Sequence, residues 1–147
     1  MDWTTVDLAN CPLIRAMEVV GKQWTLIVLR EAFNGVQRFE DFQRHLGMSR
    51  SLLSRRLSEM VDNDLLARVP YREDGARERH AYEPTATAWE LYPVLAGLIQ
   101  WGERHLASDE DSQVRLVDRR SGARLVAALV PEDAPSCPPS EVRVELG

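Results

Sequence analysis

The tripeptide Gly47-Met48-Ser49 constrains this chain more than any other feature. The residues before it, Phe39 to Leu46, have a helical pattern, with Glu40 and Asp41 in the first turn, where the helix dipole favours acids. Gly47 ends that segment, and Ser49 is a good N-cap for the next. After Ser49, Leu53, Leu57, Met60 and Val61 recur at helical spacing as an inward stripe, while Arg50, Ser51, Ser54, Arg55 and Ser58 share the opposite side. Two short helices joined by three residues predict a helix-turn-helix.

The flanking sequence extends that motif. Upstream, Pro12 opens a helical segment that Gly21 closes, with Leu13, Ile14, Met17 and Val20 at helical spacing. A second helix is expected from Gln23 to Phe33, apolar enough to be central, ended by Asn34-Gly35. After Asp64 the period changes to two. Residues 66–72 and 77–83 read as strands around Asp74-Gly75, a strong hairpin signal. Pro70 is tolerable only on a free edge. Val69, Tyr71 and Tyr82 are expected to face the body, with Arg68, Arg72, Arg77 and Arg79 on the other face and the tip.

A last long helix is expected from Thr85 to Leu106, kinked or restarted at Pro93. Leu91, Leu95, Leu98 and Gly102 form one stripe, widened by Tyr92, Ile99 and Leu106, with Trp89 and Trp101 off it. That is more apolar surface than one contact face requires, and a second partner is the simplest outlet.

A chain of 147 residues suits one domain with a short appendage. The composition breaks near Ala107, where the acidic run Ser108-Asp109-Glu110-Asp111-Ser112 begins. Residues 1–107 are expected to form the main winged helix-turn-helix domain, and 108–147 a β-hairpin extension. In that extension, 114–120 and 123–130 flank Ser121-Gly122, and 141–146 offers a third strand. The fold class is thus mainly α with a small β wing, a winged helix-turn-helix with a β-rich C-terminal extension. Two cysteines, Cys11 and Cys137, exclude a disulfide scaffold and favour a reducing compartment. With no spanning segment and no secretory signal visible, the expected location is cytoplasmic, without membrane contact.

No catalytic motif is visible, and no enzyme activity or cofactor is expected. His45, His80 and His105 lie far apart without ligand spacing, so no metal site is expected either. The charge map is more informative. Net charge is −5, yet Gln43 to Ser58 holds four arginines (44, 50, 55 and 56), one histidine and no acid. Arginine can pair bidentately with guanine, serine can contact a base edge or a phosphate, and the helix N-terminus attracts phosphate. An arginine-bearing helix face or hairpin, taken singly, is most often ordinary solvated surface. The order of helix, turn, basic helix and basic hairpin is what favours duplex DNA as the partner.

With Cys11-Pro12, the block from Gly21 to Glu31 (Gly-Lys-Gln-Trp-Thr-Leu-Ile-Val-Leu-Arg-Glu), Arg38-Phe39, Ser49, Leu53, Arg56-Leu57, Leu65, Tyr82, Pro93-Val94-Leu95 and Trp101-Gly102, the chain resembles the HxlR-type regulators, a MarR-related branch of winged-helix transcription factors. The resemblance covers about residues 8–106. It departs at Gly-Lys-Gln-Trp, where many relatives read Gly-Gly-Lys-Trp. It implies a homodimer on operator DNA with terminal helices at the dimer contact, here Leu91, Leu95, Leu98, Ile99 and Trp101. It also implies a candidate redox role for Cys11, whose bland reading is a small buried hydrophobe.

The expected mechanism places Ser49, Arg50, Ser51, Ser54 and Arg55 near bases or adjacent phosphates of an inverted repeat. Arg44, Arg56, Arg72, Arg77 and Arg79 are expected to hold the backbone. Trp3, Trp24, Trp89 and Trp101 could line a cavity for an unknown small-molecule effector, although such aromatics are more often plain core. The competing readings are a winged-helix module that binds protein, and a thiol redox sensor acting through DNA binding by way of Cys11.

Overall fold

The structure is a computed structural model that describes residues 3–5, 7–75, 77–106, 108 and 114–146. The expected acidic run lies outside the described residues except for Ser108, as does the side chain of Trp3. Two compact units divide the chain, Met1–Thr85 and Ala86–Gly147. The composition break near Ala107 does not coincide with this division, because the long C-terminal helix groups with the residues after it.

In the first unit, α1 (Pro12–Val20) starts at a proline, whose missing N–H costs nothing in a first turn. Gly21 ends α1 in a right-handed conformation, and a Cβ there would collide with the Met17 carbonyl oxygen. No residue of α1 is buried. The next helix, α2 (Thr25–Phe33), begins two residues later than its apolar pattern suggested, because Trp24 takes a left-handed backbone with φ 78°. Then α3 (Phe39–Leu46) leads to Gly47 at φ 63°, a left-handed C-cap, and α4 (Arg50–Asp62) starts at Ser49. The Ser49 hydroxyl accepts the Leu52 amide at 3.3 Å. Val28 and Leu29 of α2, Phe42 of α3, and Leu53, Leu57 and Met60 of α4 form the core, joined by Leu65 and Leu66. Each such side chain contributes about 1.5–3 kcal/mol by leaving water.

The wing pairs β1 (Leu66–Tyr71) antiparallel with β2 (Arg79–Pro84), from Leu66 opposite Pro84 to Tyr71 opposite Arg79. On the far side of β2, Arg38 bridges Ala81 and the Tyr82 amide donates to the Gln37 carbonyl at 2.8 Å. The Tyr82 amide thus points away from β1. Pro70 opposite His80 has the same parity as Arg68 opposite Tyr82, so the Pro70 nitrogen faces the open edge, where no donor is needed. The same pairing corrects one expectation. Tyr82 shares a face with Arg68, not with Val69 and Tyr71.

In the second unit the helical stretch from Thr85 restarts at Pro93, as one of the two expected outcomes, giving α5 (Ala86–Trp89) and α6 (Tyr92–His105), because Pro93 fits only in a first turn. β3 (Val114–Asp118) pairs antiparallel with β4 (Val142–Leu146). The expected hairpin of 114–120 with 123–130 forms only at its base. The Asp118 amide donates to the Ala123 carbonyl at 2.9 Å and the Leu125 amide to the Leu116 carbonyl at 2.8 Å. Beyond that point Gln100 of α6 takes over. Its side-chain amide donates to the Leu125 carbonyl at 3.0 Å and accepts the Ala127 amide at 2.9 Å. These bonds fix the segment to α6, and β4 becomes the main partner of β3.

Candidate nucleic-acid interface

The turn sets the site. Gly47 reverses the chain, Met48 is buried, and Ser49 satisfies one of the free amides at the start of α4. The first turn of α4 holds no acid, so its N-terminal partial charge is uncancelled locally. Arg50, Ser51, Ser54 and Arg55 are all exposed on this helix. The Arg50 guanidinium stands 5.0 Å from the centre of the Phe39 ring, a cation–π contact that holds it beside the turn. The Ser51 hydroxyl lies 3.5 Å from that of Ser49. Arg55 makes no ion pair or hydrogen bond among the described residues, so its charge is fully available.

Arg56 departs from its expected role. It is 8% exposed, and its Nη1 donates to Glu59 Oε2 at 2.5 Å. Lys22, from the α1–α2 turn, meets the same carboxylate oxygen at 3.2 Å. Arg56 therefore faces inward, where it is largely withheld from a phosphate, and Glu59 ties α4 to that turn through Lys22. Its Nε is buried without a partner among the described residues.

The other arginines divide in two groups. Arg44 is exposed but paired with Asp41, Arg79 meets Glu40 at 3.5 Å, and Arg38 bonds Glu73 at 2.7 Å while lying 4.8 Å from the Tyr71 ring centre. Arg68 donates to the Ser58 hydroxyl at 3.4 Å, which links β1 to α4. Arg72 and Arg77, at the tip, are exposed with no such partner among the described residues. The supports at Phe39, Glu59 and Glu73 are absent from the sequence reading. Phe39 and Glu73 are brought to their partners only by the fold, whereas Glu59 lies three residues from Arg56 on the same helix.

A buried carboxylate also braces the motif. Glu31 of α2, 3% exposed, accepts Arg30 Nε at 2.7 Å and lies 2.6 Å from His45 Nδ1 in the last turn of α3. Cys11 is half-buried at the start of α1 with a free thiol. Of the expected dimer residues, Leu98 and Trp101 are each 50% exposed, Leu91 and Ile99 are half-buried, and Leu95 is buried within its own chain at 8%. Leu95 is thus unavailable to a partner. Val94 and Leu106 are exposed instead. On α1, Leu13, Ile14 and Met17 are likewise exposed. Trp89 stacks on Tyr92 at 5.8 Å, and Trp101 tilts against His105 at 5.4 Å. No described helix is long and apolar enough to cross a membrane.

Known proteins are similar to this chain in sequence and fold. A helix-turn-helix HTH-type transcriptional regulator of Mycobacterium tuberculosis is 44% identical over 102 residues, 69% of this chain. The chain spans 63% of that relative's length. The crystal structure of PA1607, a candidate transcription factor, superposes with a TM-score of 0.73 at 33% identity, covering 86% of this chain and 87% of that one. A second candidate transcription factor, PA1374 from Pseudomonas aeruginosa, gives 0.57 at 34% identity, covering 93% and 92%. The family model for the HxlR-like helix-turn-helix matches residues 19–110. The chain, a mainly helical winged helix-turn-helix, belongs to the HxlR-like helix-turn-helix family.

Proposed function

We propose that this protein is a DNA-binding transcriptional regulator that acts in the cytoplasm as a homodimer on an inverted-repeat operator. The observation that carries this reading is the outer face of the first half of α4, which holds no acid between Arg50 and Ser58, and where Arg55 has no ion-pair partner among the described residues and Arg50 is propped on Phe39. In this reading α4 enters the major groove. Arg50, Ser51, Ser54 and Arg55 meet base edges and adjacent phosphates, and Ser49 lies close to the backbone. Arg72 and Arg77 hold the flanking backbone from the wing, with weaker help from Arg44 and Arg79, whose charges are already partly matched.

Residues 1–107 carry both DNA binding and dimerisation, with 108–147 as an appendage. The dimer contact draws on Leu98, Trp101 and Val94 of α6 and on the apolar side of α1, since these are the apolar helix surfaces left open.

The test is titration of the full chain into a duplex taken from the DNA flanking its own gene, followed by fluorescence anisotropy at several salt concentrations. Binding that falls steeply with salt and exceeds that to a scrambled duplex is expected. Salt-insensitive or absent binding would overturn the reading in favour of a protein partner. Sedimentation at micromolar concentration checks the dimer, and a monomer there contradicts it.

A further inference from the structure

The sequence offers no metal motif, yet the second unit gathers three ligand-type side chains from two stretches of chain, the end of β3 and the segment leading into β4. We infer that Asp118, Cys137 and Glu141 form a site for one divalent transition-metal ion of the zinc class. Their donor atoms all lie within 4.8 Å of one another. Cys137 Sγ is 3.7 Å from Asp118 Oδ2. A tetrahedral zinc with a sulfur ligand at about 2.3 Å and an oxygen ligand at about 2.1 Å holds those two atoms about 3.6 Å apart. One edge of the coordination tetrahedron is therefore already at bonding separation, and only the glutamate side chain has to close in.

The supports around these ligands set their orientation. Asp118 closes β3, and its Oδ1 accepts the amides of Arg120 at 2.8 Å and Ser121 at 2.7 Å and the Ser121 hydroxyl at 3.0 Å. That leaves Oδ2 as the outward oxygen, on the side of the thiol. Glu141 ends a short 3-10 turn, Pro139–Glu141, and its carbonyl accepts the Arg119 amide at 2.8 Å, which fixes the turn beside the end of β3. Supporting hydrogen bonds of this kind aim a ligand at its metal.

All three residues are partly exposed, so an ion can enter and a water can supply the fourth ligand. The thiolate selects a borderline ion such as zinc over magnesium or calcium, which prefer all-oxygen shells. Binding replaces the thiol proton, which goes to solvent as the sulfur–metal bond forms. The resulting thiolate and two carboxylates more than balance the ion's two positive charges.

The test uses the full chain, stripped of metal with a chelator and titrated with cobalt(II), then with zinc. One equivalent of cobalt should give a sulfur-to-metal charge-transfer band and tetrahedral ligand-field bands, both removed by zinc. Cys137→Ser should lose the charge-transfer band, Cys11→Ser should keep it, and Glu141→Gln should bind cobalt about tenfold more weakly or worse. Zinc should also raise the Tm of wild type and leave that of Cys137→Ser unchanged. Absence of the band, its persistence in Cys137→Ser, its loss in Cys11→Ser, or unchanged affinity in Glu141→Gln would each overturn the site. No DNA is involved, so the outcome is independent of the operator reading.

Discussion

The first half of α4 and the wing carry similar numbers of arginines, but they differ in what surrounds them. On α4, Arg55 has no ion-pair partner among the described residues and Arg50 rests on an aromatic ring. Around the wing, Arg79 is matched by Glu40 and Arg38 by Glu73. A matched guanidinium has lost much of its long-range field to its partner, whereas an unmatched one keeps it. The number of arginines therefore says little about where a polyanion will settle. What decides it is the distribution of acids, and that distribution favours the outer face of α4, together with the wing tip at Arg72 and Arg77.

The largest expected effect falls on the inner face of the same helix. Leu53→Ala removes a side chain with no exposure, and should cost about 2–5 kcal/mol of stability in denaturant unfolding. A smaller loss would mean that α4 is less firmly anchored than its burial indicates. Next come Arg50→Ala and Arg55→Ala, each expected to weaken operator binding by about 1–3 kcal/mol, with stability held. Wild-type affinity in both would erase the contrast between the two regions. At the wing tip, Arg72→Ala and Arg77→Ala should weaken binding evenly across sequences and lower the slope of log affinity against log salt by about one each. A change in sequence preference would show that the wing reads bases.

Two smaller effects sharpen the comparison. Arg56→Met, one residue from Arg55, should leave DNA affinity within about 0.5 kcal/mol of wild type, because that guanidinium is inside. Glu40→Gln should raise affinity by a few tenths of a kcal/mol, since freeing Arg79 from an exposed pair releases a modest charge. Both are read in the same anisotropy assay, and a loss in the first or no gain in the second would weaken the case.

The sequence reads best where the causes are local. Gly47 in its left-handed turn and Ser49 as a cap act on neighbouring residues, so the helix–turn–helix boundaries follow from the chain alone. The stripe Leu53, Leu57 and Met60 is likewise a matter of spacing. Arg56 lies inside because the fold covers it, and its guanidinium meets Glu59, a carboxylate that Lys22 reaches from a distant turn. The start of α2 was missed because the Trp24 backbone turns left-handed, an uncommon choice for a bulky residue. The hairpin after β3 fails beyond its base because alternation in 123–130 cannot reveal that Gln100 holds two of its backbone groups. The dimer stripe read from α6 includes Leu95, which the chain keeps for itself, because spacing alone does not separate a residue packed within the chain from one left outside.

Helix α1 buries none of its own residues and spans nine positions, too few for a helix to persist unaided in water. Its amides should therefore exchange with solvent faster than those of α4, and their protection should rise as protein concentration rises. If the proposed dimer covers α1, dilution acts on this segment as a form of partial denaturation.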